Sequence, residues 1–179
     1  MMKHLFILGI GTLLLFSCHP QKTESQDPNQ TEQTTDEVRS TPDYDYTDSL
    51  MQGSHKVVYT ITRRPDDNLP EVIDEDGTKY KDNRFNLLIT KDGKKLFDGS
   101  LTKADFKSKL PEEFKKYGII DGLRFNRAEE GKLYFNTCIS FPESDMICPF
   151  LLTIGPDGSY TITSDTTFGE EEDDEFPSI

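Results

Sequence analysis

Apolar and polar positions alternate through much of the stretch from residue 55 to 164. Val57, Tyr59 and Ile61 share one face of a first predicted strand, and Phe85, Leu87 and Ile89 one face of a second. Leu133, Phe135, Ile139 and Phe141 mark a third, and Phe150, Leu152 and Ile154 a fourth; Tyr160 and Ile162 mark a short last one. Successive side chains of a strand point to opposite faces, so each run predicts a strand with one buried face. Five Asp-Gly pairs punctuate the region, at 76–77, 92–93, 98–99, 121–122 and 157–158. Asp-Gly tolerates the positive φ that tight hairpin turns require. The expected fold class is mainly β, an antiparallel sandwich or small barrel.

The period changes once. Phe106, Leu110, Phe114 and Tyr117 recur at helical spacing between Thr102 and Gly118. Thr102 is placed to cap, and Asp105 stands where a capping box takes an acid. Pro111 forbids one unbroken helix but suits the first position of a second. Glu112 and Glu113 near that start, and Lys115 and Lys116 near its end, complement the helix dipole; Gly118 is a natural stop. The pattern predicts one short kinked helical segment, at about 103–117, laid over an open end or face of the sheet.

Ahead of this region the chain changes character. Lys3 and His4 precede an apolar run from Leu5 to Phe16, too short to span a bilayer at about 20 residues and of the length of a secretory signal. Leu15-Phe16-Ser17-Cys18 resembles the lipobox of bacterial lipoproteins, with Phe16 bulkier than the pattern prefers. Residues 1–17 are therefore expected to be a cleaved signal peptide, and Cys18 the acylated (palmitate-bearing) first residue of an envelope lipoprotein. No aspartate follows Cys18, which points to the outer membrane; the side it faces stays open. Two or three acyl chains hold a protein stably where one does not.

The net charge of −13 is unevenly placed. Residues 55–164 carry seventeen basic and eighteen acidic side chains, so the acidity lies outside them. Residues 18–54, rich in Gln, Thr, Ser, Asp and Pro, read as an acidic disordered tether, and 165–179 as an acidic disordered tail containing the run Glu170–Glu175. No basic patch stands out, which argues against nucleic acid. The 110 residues between suit one monomeric β-rich domain.

Several motifs carry the likeness to a known group. Tyr80-Lys81-Asp82-Asn83, Asp92-Gly93 and Leu101-Thr102-Lys103-Ala104-Asp105-Phe106, then Ile119-Ile120-Asp121-Gly122-Leu123 and Phe141-Pro142-Glu143-Ser144-Asp145, follow in an order similar to a family of uncharacterised lipoproteins from Bacteroidetes-type bacteria. The resemblance implies an envelope lipoprotein with a mainly β domain. It carries no activity to transfer.

Chemistry-bearing residues are sparse. His55 is the one histidine of the domain and reads as an exposed residue opening the first strand; no Gly-x-Ser-x-Gly elbow accompanies it. Asp74-Glu75-Asp76-Gly77 fails the calcium-loop pattern at Val72 and Asn83, and reads as an acidic hairpin turn. No metal site, cofactor or catalytic residue is expected. Cys138 and Cys148 flank the Pro142–Asp145 turn; a disulfide and two separate thiols stand as equal alternatives, since alternation sets Cys148 with Phe150 but Cys138 with Asn136. Asp48-Ser49-Leu50 and Asp165-Thr166-Thr167 resemble the acceptor of the O-glycosylation system serving exported proteins of that bacterial group, at Ser49 and Thr166. Two functions remain: a non-catalytic envelope module that binds a glycan, peptide or protein, and a carboxylate-dependent hydrolase of an envelope glycan or peptide. In the second, two carboxyl groups would sit about 5–9.5 Å apart in a cleft.

Overall fold

The computed structural model describes residues 37–166. Strands β1 (Tyr44–Gln52), β2 (His55–Pro65), β5 (Asn83–Lys91) and β6 (Lys94–Leu101) form one antiparallel sheet in the order β1-β2-β5-β6. A second follows the chain as β7 (Ile119–Glu129), β8 (Lys132–Ser140), β9 (Ile147–Ile154) and β10 (Tyr160–Ser164). A two-stranded ribbon, β3 (Val72–Ile73) with β4 (Lys79–Tyr80), interrupts the first meander.

The two sheets face each other across one shared core. Val57, Tyr59 and Ile61 of β2 and Phe85, Leu87 and Ile89 of β5 meet Leu133, Phe135 and Ile139 of β8 and Phe150, Leu152 and Ile154 of β9. These are the alternating residues of the sequence, and all are buried. The arrangement is an open sandwich; no closed barrel forms.

The domain starts earlier than residue 55. Residues 44–52, expected in a disordered tether, pair with β2 from Tyr44↔Arg63 to Gln52↔His55. Backbone pairing supplies the order that composition hides: an edge strand satisfies its ladder while leaving Tyr44, Tyr46 and Met51 exposed. Arg39 also joins by a bridge to Tyr80, its N–H bonding Lys79 O at 2.8 Å. Residues 1–36, with the expected signal peptide and the expected lipidation site Cys18, lie outside the described residues, as do 167–179 of the expected tail.

Three of the five Asp-Gly pairs turn the chain. Gly77, Gly93 and Gly158 have positive φ, and Asp92-Gly93, at +50° and +75°, joins β5 to β6 in a type I′ turn. Asp98-Gly99 and Asp121-Gly122 instead lie inside β6 and β7. Gly99 leaves room for the Phe97 ring, whose Cζ would be 2.5 Å from an added Cβ. Gly122 sits at a register shift of β7 against β8. Another tight turn uses Glu130-Gly131, both at positive φ.

The helical segment forms in two pieces, a 3-10 turn at Lys103–Phe106 and α1 at Glu112–Tyr117. The Asp105 carboxylate accepts the Thr102 N–H at 2.7 Å, as the capping box requires. Pro111 is the N-cap of α1 and Gly118 its C-cap. Phe106 and Leu110 are buried, and Phe106 lies 5.0 Å, ring to ring, from Phe150. Phe114 packs on Phe141 at 4.8 Å. The segment thus closes one end of the core and links the two sheets.

Candidate functional site

Four side chains grip the chain where the helical segment runs into β7. Lys103 Nζ donates to Gly118 O at 2.6 Å. Asp82 Oδ1 accepts the N–H of Ile120 at 2.9 Å and of Asn83 at 2.8 Å. Asn83 Nδ2 donates to Ile120 O at 2.7 Å, and its Oδ1 accepts from Thr41 Oγ1 at 2.6 Å. Arg63 Nη1 donates to Asp121 O at 3.1 Å and to Asp121 Oδ1 at 2.8 Å. Asp82 and Asn83 are almost wholly buried, at 3% and 0% exposure, so each backbone group they satisfy would otherwise be costly. Burial raises the Asp82 carboxyl above its usual range, against the pull of these N–H donors and of Lys103 4.0 Å away. Burial lowers the Lys103 ammonium, and Asp82 offsets part of that effect.

This clasp borders a cavity of about 290 Å³ between the helical segment and residues 69–72. Leu69, Pro70, Val72 and Leu110 give it an apolar floor. Four lysines line it: Lys103, Lys107, Lys115 and Lys116, against two acids, Glu71 and Asp82. Lys115 is held by Glu112 at 2.6 Å and Lys116 by the Tyr117 hydroxyl at 2.6 Å. Lys107 is exposed and makes no ion pair among the described residues. The sequence pattern explained Lys115 and Lys116 as dipole partners and showed no basic patch. The break at Pro111 folds the two halves of the segment so that both contribute to one wall. The signal available beforehand was five lysines against three acids between Thr102 and Gly118.

A second hollow, of about 280 Å³, opens between β1 and β7 beside Tyr44, Tyr46, Tyr59 and Phe125. Tyr44 and Tyr46 stand nearly parallel at 6.3 Å, and Asp48 accepts the Tyr46 hydroxyl at 3.1 Å. Ser49 belongs to β1, so the first acceptor triplet lies on a paired strand with its side chain exposed; a flexible segment was expected there. Thr166 follows Asp165, whose N–H bonds Pro149 O at 3.0 Å, and is exposed at the end of the described residues.

Cys138 and Cys148 are free thiols. Cys138 pairs in register with Pro149, and Cys148 with Ile139, so the one-residue offset puts the thiols on opposite faces. This is the face assignment given by the alternation. Burial, with Asp121 nearby, raises the Cys138 thiol to about 11. His55 opens β2 on the surface and is bonded to Asp92 Oδ2 through Nδ1 at 2.5 Å. Asp74, at the acidic turn, caps its own hairpin by accepting the N–H groups of Asp76 and Thr78 at 3.0 and 2.8 Å. Among the described residues no group of three or more His, Cys, Asp or Glu is placed to hold a metal ion.

Three of the five motifs that carried the sequence resemblance meet in this clasp, where Asp82 bonds Ile120 N–H and lies 4.0 Å from Lys103, and Asn83 bonds Ile120 O. Residues 22–162 match the family described as "Domain of unknown function (DUF4738)". The chain belongs to that family. Comparison with curated proteins gives no match. The family match spans β1 and all four clasp elements, and it begins well before residue 55, in keeping with the earlier start of the domain.

Proposed function

We propose that this chain is an outer-membrane lipoprotein, lipidated at Cys18 after removal of residues 1–17, whose domain is a non-catalytic module binding an anionic partner. The observation that carries the binding reading is the cavity walled by Lys103, Lys107, Lys115 and Lys116 over an apolar floor. Half-buried Lys103 is held in place by Gly118 O, and the other three bring cationic charge to the rim without a buried counter-ion each. A peptide or protein segment with carboxylates beside apolar side chains is the chemistry such a groove receives.

Hydrolysis by a carboxylate pair finds less support. Glu71 and Asp82 share the cavity, but the Asp82 Oδ1 is already occupied by two backbone N–H groups that fix β7. General acid–base catalysis needs a group free to exchange its proton with substrate.

Two measurements test the reading. Cys18→Ala should leave unprocessed precursor; recovering processed, soluble protein would end the lipoprotein part. For the groove, a fluorescent hexaglutamate peptide should bind with a salt-dependent affinity that Lys107→Glu with Lys116→Glu weakens at least tenfold. An unchanged affinity would refute the groove, and turnover of an envelope glycan or peptide abolished by Glu71→Gln would restore the hydrolase.

A further inference from the structure

The sequence holds a segment with the chemistry this groove receives. Glu170–Glu175 is an unbroken run of six acids, with Phe168 and Phe176 on either side. Elsewhere the acids of the domain are interleaved with bases, seventeen basic against eighteen acidic over residues 55–164.

The described part of the chain ends near the groove. β10 ends at Ser164, which pairs with Phe150, and the Asp165 N–H bonds Pro149 O. Phe150 in turn packs its ring 5.0 Å from Phe106, which sits in the same 3-10 turn as Lys103 and next to Lys107. The chain therefore leaves the second sheet beside the element that forms the groove's lysine wall. From Thr166, four residues reach Glu170 and nine reach Glu175, at most about 14 and about 32 Å when extended. That span is enough to pass around a 3-10 turn.

We propose that the acidic run Glu170–Glu175 docks in its own chain's lysine groove, as an internal competitor for the anionic partner; this rests on the groove reading above. The carboxylates meet Lys103, Lys107 and Lys116, and Phe168 or Phe176 covers the Leu69–Pro70 floor. Each lysine contact is weak and screened by salt. Tethering compensates, because a short linker gives an effective concentration on the order of millimolar. A partner must then displace the run, so the groove discriminates against weakly acidic segments.

Zero-length carbodiimide cross-linking of the full chain, read by peptide mass spectrometry, tests the docking. Lys94 and Lys132, exposed in hairpins, are the comparators. Cross-links from residues 170–175 should fall on Lys103, Lys107, Lys115 and Lys116 at least threefold more than on the comparators, and should disappear at high salt. An even spread overturns the proposal. So do links found only between chains, in a mixture of isotope-labelled and unlabelled protein. A second arm neutralises the run in the full chain (Glu170→Gln, Glu171→Gln, Glu172→Gln, Asp173→Asn, Asp174→Asn, Glu175→Gln) and measures the hexaglutamate probe. Affinity should rise at least fivefold. Equal affinity for both chains sinks the competitor and leaves the groove standing; binding to neither chain removes the groove reading itself.

Discussion

Replacing Asp82 with alanine removes the oxygen to which the buried N–H groups of Ile120 and Asn83 both donate. A buried donor left without an acceptor costs about 1–3 kcal/mol, so the two together cost roughly 4 kcal/mol. That is a large share of the 5–15 kcal/mol typical of a domain. With a urea slope of about 2 kcal/mol/M, the unfolding midpoint of Asp82→Ala should fall by about 2 M. Asparagine offers the same Oδ1 to both donors and gives up only the Oδ2, 4.0 Å from Lys103. Asp82→Asn should therefore cost about 1 kcal/mol or less. The pair also has a pH signature. Burial raises the folded-state carboxyl of Asp82 above its unfolded value. Its stabilising contribution is then complete below the unfolded pKa of about 3.9 and is lost as pH rises through the folded value. Stability of the native chain minus that of Asp82→Asn should accordingly decline from pH 4 upward. Urea titrations of the three proteins at pH 4, 5.5 and 7 measure all of this. If asparagine proves as damaging as alanine at every pH, the charge rather than the acceptor matters, and the clasp has been misread.

Other outcomes follow from particular contacts. A chain shortened to 55–164 should lose cooperative unfolding by circular dichroism while 37–166 keeps it, because β2 would lose its nine-pair partner; equal transitions would demote β1 to an ornament of the sheet. Gly158→Ala should cost clearly more than Gly53→Ala although both sit at positive φ, since an added Cβ at 158 would lie 2.3 Å from Leu96 O and at 53 meets nothing; chemical denaturation compares them. Native Cys138 should resist iodoacetamide at pH 7 and react as pH approaches its raised value of about 11, both thiols being found by mass after unfolding; a protein two hydrogens lighter would show the disulfide.

The strands visible in the sequence are those with one face in the core and one in solvent, β2, β5, β8 and β9, where period two survives intact, together with the short β10 marked by Tyr160 and Ile162. β1 escaped notice because an edge strand can be ordered by its ladder alone, and its outward residues are tyrosines and aspartates. β7 was hidden by its irregularities: register shifts after Ile120 and Phe125 break the alternation, and Ile119 is buried outside the shared core that Ile120 and Leu123 join. Asp98-Gly99 looked like a turn because the dipeptide favours one, yet the Phe97 ring needs that space in a continuous strand. The site was less legible still. Asp82 and Asn83 read as turn residues, and only the pairing of distant segments shows them closing on Ile120, 38 and 37 residues away. The lysines were in view, but their gathering depends on the bend at Pro111 and on the 69–72 loop opposite.

Each sheet is made almost entirely by strands that neighbour one another along the chain, the ribbon of β3 and β4 being the one insertion. Pairings of this kind close short loops, so either meander can zip up before the other exists. The clasp, by contrast, joins one meander to the other across nearly forty residues. It should form late, after the barrier, and its loss should appear mainly as faster unfolding with refolding little changed. A protein built so would owe its persistence in the folded state to a kinetic latch, with Asp82 and Asn83 as its catch.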